Sequence, residues 1–237
     1  MKIAVPKEKW ADEARISVSP DSVKKFIAMG FDIAVESGAG DLASISDLAL
    51  SEAGAQIAQN AAETIGEADI VLRVQRPMPP TDGWKDEILM MKSGSILIGN
   101  LAALSNPEQV ELYAKQGLTV FAMELLPRIS RAQSMDVLSS QSNLAGYKAV
   151  LDAANEYSKA FPMMMTAAGT VPPAKVLVLG AGVAGLQAIA TARRLGAVVS
   201  AYDVRPIVKE QVESLGGRFV EVERDAAEDA ETAGGYA

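Results

Sequence analysis

Three glycines in the pattern Gly-X-Gly-X-X-Gly are the residues of this chain whose types and spacing point most directly to chemistry. They are Gly180, Gly182 and Gly185, which follow an apolar, β-branched run at residues 176–179 and precede a helix-like run at residues 186–195. In such a turn the first glycine leaves the strand tightly, the second lets the backbone approach a pyrophosphate, and the third lets the helix pack close to the strand. The unpaired N–H groups at the helix start can then hold the phosphates. The pattern predicts dinucleotide binding, and a glycine-rich strand–helix turn that binds nothing is the alternative.

An acidic residue completes the pattern at the end of the next predicted strand, residues 198–202. It is Asp203, which lies 23 residues after Gly180. A carboxylate there can accept hydrogen bonds from an adenosine ribose and would repel the 2′-phosphate of NADP, which favours NAD. Arg205 opposes this preference, because a guanidinium two residues later could accept a phosphate. We therefore predict NAD(H) as the cofactor, and the residues predicted to bind it are Gly180, Gly182, Val183, Ala184, Gly185, Asp203, Val204 and Arg205.

Composition argues against several other classes of protein. The 237 residues suffice for one large or two small domains, and 22 basic against 30 acidic side chains give a formal net charge of −8. This acidic balance argues against nucleic acid as a partner. The chain has no cysteine and no histidine, so it lacks thiolate chemistry, the commonest acid–base group and the commonest metal ligand, and we predict no metal. The N-terminal apolar run is too short for a signal peptide, and no run of 18 apolar residues could span a bilayer.

Strands that alternate with helices predict an α/β protein with parallel sheets. The first Rossmann-like subdomain is predicted at residues 1–125, with strands at residues 2–5, 31–36, 70–74, 95–98 and 118–123 and helices at residues 20–30, 46–54 and 106–116. A polar loop and a linking helix are predicted at residues 126–161, with the helix itself at 143–161. The NAD-binding Rossmann subdomain is predicted at residues 162–237.

The pattern after Asp203 is shorter than a doubly wound sheet requires. A helix is predicted at residues 208–215 and a third strand at 219–222, and the acidic segment at 223–237 is expected to be a mobile loop. One mononucleotide-binding half is therefore present and the second half is missing. We expect an incomplete NAD-binding subdomain, which is either a fragment or a chain ordered only to this point.

The polar segment carries a resemblance to a known family. Residues 127–149, PRISRAQSMDVLSSQSNLAGYKA, together with the glycine turn and Gly-Gly-Tyr at residues 234–236, resemble domain I of the proton-translocating NAD(P) transhydrogenases. Domain I is the NAD(H)-binding component of those proteins, and the resemblance covers all 237 residues. It implies two Rossmann-like subdomains with NAD(H) in the cleft between them. It also implies hydride transfer between NADH and NADP bound on a partner domain, coupled to proton translocation.

By motif match, the resemblance implies that Arg128, Gln133, Asp136 and Ser139 position the nicotinamide end and face the incoming NADP(H) domain. Their types suit these roles: the arginine can pair with a pyrophosphate or stack near a nicotinamide, the glutamine and serine offer neutral donors and acceptors, and the aspartate can fix an amide. A solvated helix cap with surface salt bridges is the alternative. Tyr236 matches a tyrosine on a mobile loop that closes over bound nucleotide, and an ordinary exposed tyrosine is the alternative there.

The same resemblance implies the partners and the location of the protein. The partners would be a second copy of domain I in a homodimer, a separate NADP(H)-binding domain and a membrane domain. The chain is then expected to be a peripheral component at the cytoplasmic face of the inner membrane. Alone, it is expected to bind NAD(H) and to catalyse nothing productive.

Alanine dehydrogenase belongs to the same fold family and shares the N-terminal patterns MKIAVPKE, EARISVSP and ESGAG. By resemblance, that enzyme uses a lysine at a KVKEP-like strand end and a histidine in the next strand–loop. Here residues 73–77 are RVQRP, so Gln75 stands at the position of the lysine, and a glutamine is no general base. Hydride transfer between two nicotinamides depends instead on proximity and orientation. Arg15 is predicted to be structural or to line the cleft.

Two alternatives to the transhydrogenase prediction stay open on the sequence. One is an amino-acid dehydrogenase whose catalytic groups have been displaced to other positions. The other is a non-catalytic NAD-binding regulatory module, which would keep the glycines and Asp203 but would have no reason to carry the polar segment.

Overall fold

The computed structural model describes residues 1–78, 86–127 and 129–222, and the chain divides into two compact units, Met1–Pro127 and Arg128–Ala237. Each unit contains a parallel sheet flanked by helices, so the predicted α/β class with parallel sheets is confirmed. The finer division of the second unit into a linking segment and an NAD-binding subdomain stays a prediction. None of the helices in the described ranges combines the length and the apolar composition that a membrane span requires.

The first unit is organised around a six-stranded parallel sheet. Its strands are β1 (Lys2–Val5), β2 (Asp32–Glu36), β3 (Gln56–Ala58), β4 (Ile70–Gln75), β5 (Ile96–Asn100) and β6 (Thr119–Ala122). The strand order is β3-β2-β1-β4-β5-β6, so the chain builds outward from β1 in one direction and then, from β4, in the other. Ile3 of β1 accordingly pairs with Ile33 on one side and Ile70 on the other. This reversal of strand order, between β1 and β4, is where ligands bind in many open α/β sheets.

Among the described residues, five α-helices connect these strands: α1 (Pro20–Ala28), α2 (Asp47–Glu52), α3 (Ala61–Ile65), α4 (Glu87–Met90) and α5 (Pro107–Lys115). The start of α1 follows the local sequence signal. Ser19 is the N-cap and exchanges hydrogen bonds with Ser22, and Pro20 occupies the first turn, where its missing N–H costs nothing. Sequence analysis did not predict β3, α3 or α4, because elements of three to five residues are too short to show a period.

Both faces of this sheet are buried against helices. One apolar cluster contains Ile3, Val5, Val23, Ile33, Val35 and Leu50. The other contains Ala4, Ile65, Val71, Ile88, Leu97 and Tyr113. Successive strand residues point to opposite faces, which is why Ile3 and Val5 belong to one cluster and Ala4 to the other.

A buried charge cluster ties the segment after β1 to β4 and α4. The guanidinium of Arg73 donates to Glu87 Oε2 at 2.6 Å and to Glu8 Oε2 at 3.1 Å, and the Arg73 side chain is fully buried. Lys9 Nζ lies 2.9 Å from Glu87 Oε1, and the backbone N–H of Val74 donates to Glu8 Oε1 at 2.6 Å. Burial raises the pKa of Glu8, whereas Arg73 and the backbone donors act to lower it. The cluster therefore fixes the segment after β1 at the carboxyl ends of the strands.

The second unit contains a long helix, a hairpin and a three-stranded parallel sheet. Its elements are α6 (Val137–Glu156), the antiparallel hairpin β7 (Met164–Thr166) and β8 (Gly169–Val171), β9 (Lys175–Leu179), α7 (Val183–Arg194), β10 (Val198–Tyr202), α8 (Lys209–Ser214) and β11 (Arg218–Phe219). The sheet order is β11-β10-β9. The two elements that the glycine pattern needs, β9 and α7, lie on either side of the turn, as the sequence predicted.

The linking helix differs from its prediction at both ends. Sequence analysis placed it at residues 143–161, whereas α6 spans Val137–Glu156. The earlier start follows from Asp136, whose carboxylate caps the helix by accepting from the backbone N–H of Ser139 at 2.9 Å. Serines 139, 140 and 142 favour loops in isolation, but here they occupy the first turns of a capped helix. The helix ends at Glu156, because the C-cap residue Tyr157 has an extended backbone.

An apolar, β-branched run such as residues 176–179 predicts a strand buried on both faces of a parallel sheet, and this prediction is wrong for β9 among the described residues. Val176 and Val178 pack against the apolar cluster of the second unit, but Leu177 is 59% exposed and Leu179 is 75% exposed. The cause is topological. Right-handed crossovers that step in one direction, from β9 to β10 to β11, place α7 and α8 on the same face of the sheet.

Candidate functional site

The turn between β9 and α7 has open space beside its first two glycines and none beside its third. Gly180 has φ +93°, a conformation that strains any residue with a side chain, and a Cβ added there would meet nothing within 4 Å. A Cβ at Gly182 would meet only Arg205 Nη2, at 3.9 Å. A Cβ at Gly185 would lie 1.8 Å from the carbonyl oxygen of Gly180, so only glycine fits. The turn thus leaves room for a ligand against Gly180 and Gly182, while Gly185 serves helix–strand packing.

Helix α7 presents an N-terminus without a side-chain cap to this open space. Gly182 is its N-cap, with an extended backbone and no side chain to accept from the first-turn N–H groups. Val183, Ala184 and Gly185 line the adjoining cavity. The helix is 12 residues long, and the positive end of its dipole favours an anion at this position.

The cavity has a volume of about 770 Å³, and three segments of the second unit form its walls. The glycine turn and the start of α7 form one wall. A second wall comes from α6 and consists of Ser139, Ser142, Ala145, Gly146 and Ala149. The third follows β10 and consists of Arg205, Ile207, Val208 and Gln211. Of the residues in these last two walls, sequence analysis identified only Ser139 and Arg205 and missed Ser142, Ala145, Gly146, Ala149, Ile207, Val208 and Gln211. The signal in the sequence was the run of small residues at positions 139, 142, 146 and 149, which share one helix face.

Gly146 allows α6 to form that second wall. A Cβ added to it would lie 2.0 Å from the backbone carbonyl oxygen of Ala184. The backbones of α6 and α7 therefore approach as closely as glycine allows, directly beside the glycine turn. Gly146 is buried in the helix contact, and Val150, one turn later, joins the apolar cluster.

Asp203 is a buried carboxylate with its hydrogen-bonding capacity filled. Its Oδ2 accepts from the backbone N–H of Ala181 at 2.6 Å and from Arg205 Nη2 at 3.1 Å. Its Oδ1 accepts from the backbone N–H of Arg205 at 2.8 Å and from Arg205 Nε at 3.0 Å. The side-chain hydrogen bonds of Arg205, reinforced by the two backbone donors and opposed by burial, lower the pKa of Asp203 to about 2. The group is therefore ionised at neutral pH. Arg205 lines the cavity, whereas neither Asp203 nor Val204 does.

The predicted polar segment is only partly gathered at the cavity. Ser139 lines it, and its hydroxyl donates to Asp136 Oδ2 at 2.6 Å. Asp136 caps α6, and Gln133 is exposed in a short 3₁₀ helix, Ser130–Met135; neither is part of the cavity lining. Arg128 and Tyr236, both predicted site residues, lie outside the described residues.

A smaller cavity of about 260 Å³ lies in the first unit, at the carboxyl ends of β1 and β4. Here Glu13 accepts from Arg15 Nε at 2.7 Å and from the Gln75 amide at 3.0 Å. The hydrogen bonds from Arg15 are the largest of the causes that lower the pKa of Glu13 to about 2. This carboxylate–guanidinium–amide group includes Gln75, the residue that stands where the resemblance places the lysine of alanine dehydrogenase. Within the described ranges, no cluster of three acidic, histidine or cysteine side chains is suited to a metal.

Comparison with known proteins identifies the family. The model of the alanine dehydrogenase/PNT N-terminal domain matches residues 4–145, and that of the alanine dehydrogenase/PNT C-terminal domain matches residues 149–233. The chain belongs to the alanine dehydrogenase/PNT family.

The relatives favour the transhydrogenase branch of this family. An NAD(P) transhydrogenase alpha-subunit protein of Rhodospirillum rubrum is 61% identical over 237 residues, which are 100% of this chain and 62% of that protein. The crystal structure of transhydrogenase from Sinorhizobium meliloti matches with a TM-score of 0.88 and 55% identity, over 93% of this chain and 64% of the other. An L-alanine dehydrogenase structure matches less closely, with a TM-score of 0.78 and 27% identity, over 92% of this chain and 60% of the other. The predicted resemblance is thus confirmed, and the chain spans about 62% of the length of its curated transhydrogenase relative.

Proposed function

We propose that this chain is the NAD(H)-binding component of a proton-translocating transhydrogenase. In this proposal it holds NAD(H) while a hydride passes between it and NADP(H) on a partner domain. The observation that carries the proposal is the glycine turn of a family member: it is open at Gly180 and Gly182, closed at Gly185 and continuous with an uncapped helix N-terminus. An anionic dinucleotide fits this set of backbone donors.

The residues of the chain then bind and orient the nucleotide. The glycine turn and the first turn of α7 hold the pyrophosphate, and Asp203 receives the adenosine ribose. Gln133, Asp136 and Ser139, with Arg128 and Tyr236 from outside the described residues, act at the nicotinamide end. Asp136 also caps the start of α6. NAD(H), when bound, supplies the hydride acceptor or donor carbon, so the protein contributes orientation, proximity and exclusion of water.

The remaining elements of the proposal concern assembly. The chain works in a homodimer, opposite an NADP(H)-binding domain, in a complex whose membrane domain moves the protons. It lies on the cytoplasmic face of that membrane as a peripheral component. The support for this assembly is the identity with transhydrogenase alpha subunits.

An alanine-type dehydrogenase is the second candidate, favoured by the family and by the first-unit cavity. Against it stand Gln75 at the position of the lysine and the absence of histidine from the whole sequence. Neither an amide nor the ion pair of Glu13 and Arg15 supplies a base near neutral pH. A non-catalytic NAD-binding module is the third candidate.

The deciding experiment measures hydride transfer from NADH to an NADP analogue. The chain, extended to the full length of its relatives, is mixed with an NADP(H)-binding partner domain, and pyruvate with ammonia serves as the competing acceptor in parallel. Transfer between nucleotides with none to pyruvate supports the proposal. Reduction of pyruvate assigns the chain to the amino-acid dehydrogenases, and NADH binding without either activity leaves only the binding module.

A further inference from the structure

The ion pair of Asp203 and Arg205 occupies the positions that a ribose would need. A carboxylate offers about four lone-pair sites for hydrogen bonds. All four are used here, three of them by Arg205 and one by Ala181. A ribose hydroxyl can therefore donate to Asp203 only if the side chain of Arg205 gives up at least one of its two hydrogen bonds.

The guanidinium of Arg205 lies close to the place where a phosphate would bind. Arg205 Nη2 lies 3.9 Å from the point where a Cβ of Gly182 would stand, and Arg205 lines the cavity beside the glycine turn. Gly182 is the residue at which the turn leaves room for a phosphate. The same guanidinium thus contacts the carboxylate on one side and borders the phosphate position on the other. Guanidinium groups pair with phosphate in the bidentate manner in which they pair with carboxylate.

We propose that Arg205 is an exchange residue that couples phosphate recognition to ribose recognition. A diphosphate at the glycine turn draws the guanidinium away from Asp203, and the released carboxylate then accepts from the ribose. This inference rests on the proposed nucleotide-binding function and deepens it. It gives Arg205 a specificity role that neither a static ion pair nor a plain phosphate ligand would have.

The exchange leaves neither ionised side chain without hydrogen-bond partners in either state. Without a ligand, the anion beside Arg205 is Asp203, and the pair is nearly buried, with 17% of the arginine side chain and 5% of the aspartate side chain exposed. With a ligand, the phosphate pairs with Arg205, while Asp203 keeps the backbone N–H groups of Ala181 and Arg205 and gains the ribose hydroxyls. A nucleoside without phosphate has no group that can draw Arg205 away. Its ribose therefore encounters Asp203 with all of its acceptor sites still used by Arg205 and Ala181.

The test is a comparison of adenosine, ADP and NADH binding by calorimetric titration of the full-length subunit. The wild type is compared with Arg205→Met, which removes the guanidinium and keeps a side chain of similar length. Arg194→Met is the matched control, because Arg194 is an exposed cation in the last turn of α7 and its removal changes the net charge equally. Arg205→Lys is the second variant, since it keeps the charge but cannot pair in a bidentate manner. It secures the test if Arg205→Met folds poorly.

The exchange predicts opposite changes in the affinities for adenosine and ADP. In Arg205→Met, adenosine binds more tightly because Asp203 is free, and ADP binds more weakly because a phosphate partner is lost. The ratio of ADP affinity to adenosine affinity falls by at least about tenfold, the scale of one hydrogen bond to a charged group. Arg205→Lys gives a smaller fall in the same direction, and Arg194→Met leaves the ratio near that of the wild type.

Other outcomes overturn the inference. Weaker ADP binding with unchanged adenosine binding makes Arg205 a plain phosphate ligand. Tighter binding of both adenosine and ADP would mean that Arg205 only obstructs the site. An unchanged ratio of ADP affinity to adenosine affinity would mean that its role is structural. Failure of the wild type to bind NADH at all is a distinct result, because it removes the proposed function itself.

Discussion

The backbone N–H of Ala181 donates a 2.6 Å hydrogen bond to Asp203 Oδ2, and this bond joins the glycine turn to the end of β10. The glycine turn and Asp203, the proposed phosphate and ribose sites, are therefore held together by a buried, charge-assisted contact. Parallel pairing of β9 with β10 adds to the same fixation, since Leu179 is in register with Tyr202. Their spacing is a property of the fold and exists without a ligand.

Replacing Asp203 by asparagine should reduce discrimination between NADH and NADPH. The carboxylate repels a 2′-phosphate and the amide does not, so we expect the ratio of NADH to NADPH affinity to fall by roughly tenfold. Equilibrium titrations of both nucleotides measure the ratio. Asp152→Asn, an exposed site on α6, provides the control for loss of one negative charge. If the ratio stays at its wild-type value in Asp203→Asn, the carboxylate does not read the ribose.

The pKa of Asp203 makes a prediction about stability and pH. Its value is lowered from 3.8 to about 2 in the folded protein, so the folded state favours the ionised form. The resulting stabilisation is present above the unfolded pKa and is lost as the pH falls from about 4 towards 2. It amounts to about 2 kcal/mol. Glu13 also has a pKa of about 2, so acid lability of the wild type alone does not identify Asp203.

The difference in unfolding free energy between the wild type and Asp203→Asn isolates this contribution. Urea unfolding at a series of pH values should show the difference at neutral pH and a clear decrease of it by about pH 3. A difference that stays constant across this range would mean that the carboxylate is not stabilised by its ionisation.

Gly146→Ala tests the close approach of α6 and α7. Alanine stabilises an isolated helix relative to glycine by about 1 kcal/mol. The added Cβ, however, would lie 2.0 Å from the carbonyl oxygen of Ala184, which is backbone and cannot rotate away. We expect overpacking to dominate and the unfolding free energy to fall by about 1–3 kcal/mol, with weaker nucleotide binding because the wall of the cavity moves. Asn143→Ala, exposed on the same helix, should be neutral or stabilising. A more stable Gly146→Ala would contradict the helix contact.

Arg73→Met tests the buried charge cluster of the first unit. Removal of the guanidinium leaves Glu8 and Glu87 buried with less compensation, which should lower the unfolding free energy by about 3–5 kcal/mol. Lys115→Met is the control, because its ion pair with Glu111 spans 3.8 Å and both side chains are 72% exposed, so its loss should cost less than about 0.5 kcal/mol. Similar losses in the two variants, measured by urea unfolding, would show that Arg73 contributes no more than a surface cation to this unit.

The elements of the fold that could be predicted from the sequence are those with strong local signals. Ser19 and Pro20 fixed the start of α1, and the glycine turn predicted both β9 and α7, because capping groups and tight turns depend on neighbouring residues. The start of α6 was missed because a serine-rich segment favours loops unless a cap such as Asp136 precedes it. The wall formed by Ser142 and Gly146 was missed for a different reason: it depends on which helix packs beside the turn, and that is a tertiary relationship.

The ion pair of Asp203 and Arg205 shows the same limit within the site. Sequence reasoning identified both residues and treated them as competing indications of cofactor preference. The structure shows that they contact each other, and this contact is the basis of the proposed exchange. Two residues that are two positions apart after a strand give no signal of this pairing in the sequence.

The sequential strand order of the second unit has a consequence for the route by which it folds. In the first unit, Ile3 of β1 cannot complete its pairing until Ile70 of β4 has been synthesised. In the second unit, β9, β10 and β11 are neighbours both along the chain and in the sheet. Each strand therefore pairs with the strand that follows it in the sequence. Paired residues are about 20 positions apart at each step, against 67 for Ile3 and Ile70, and the shorter separation favours faster assembly than in the first unit. The cavity around the glycine turn can be complete soon after its last lining residue leaves the ribosome.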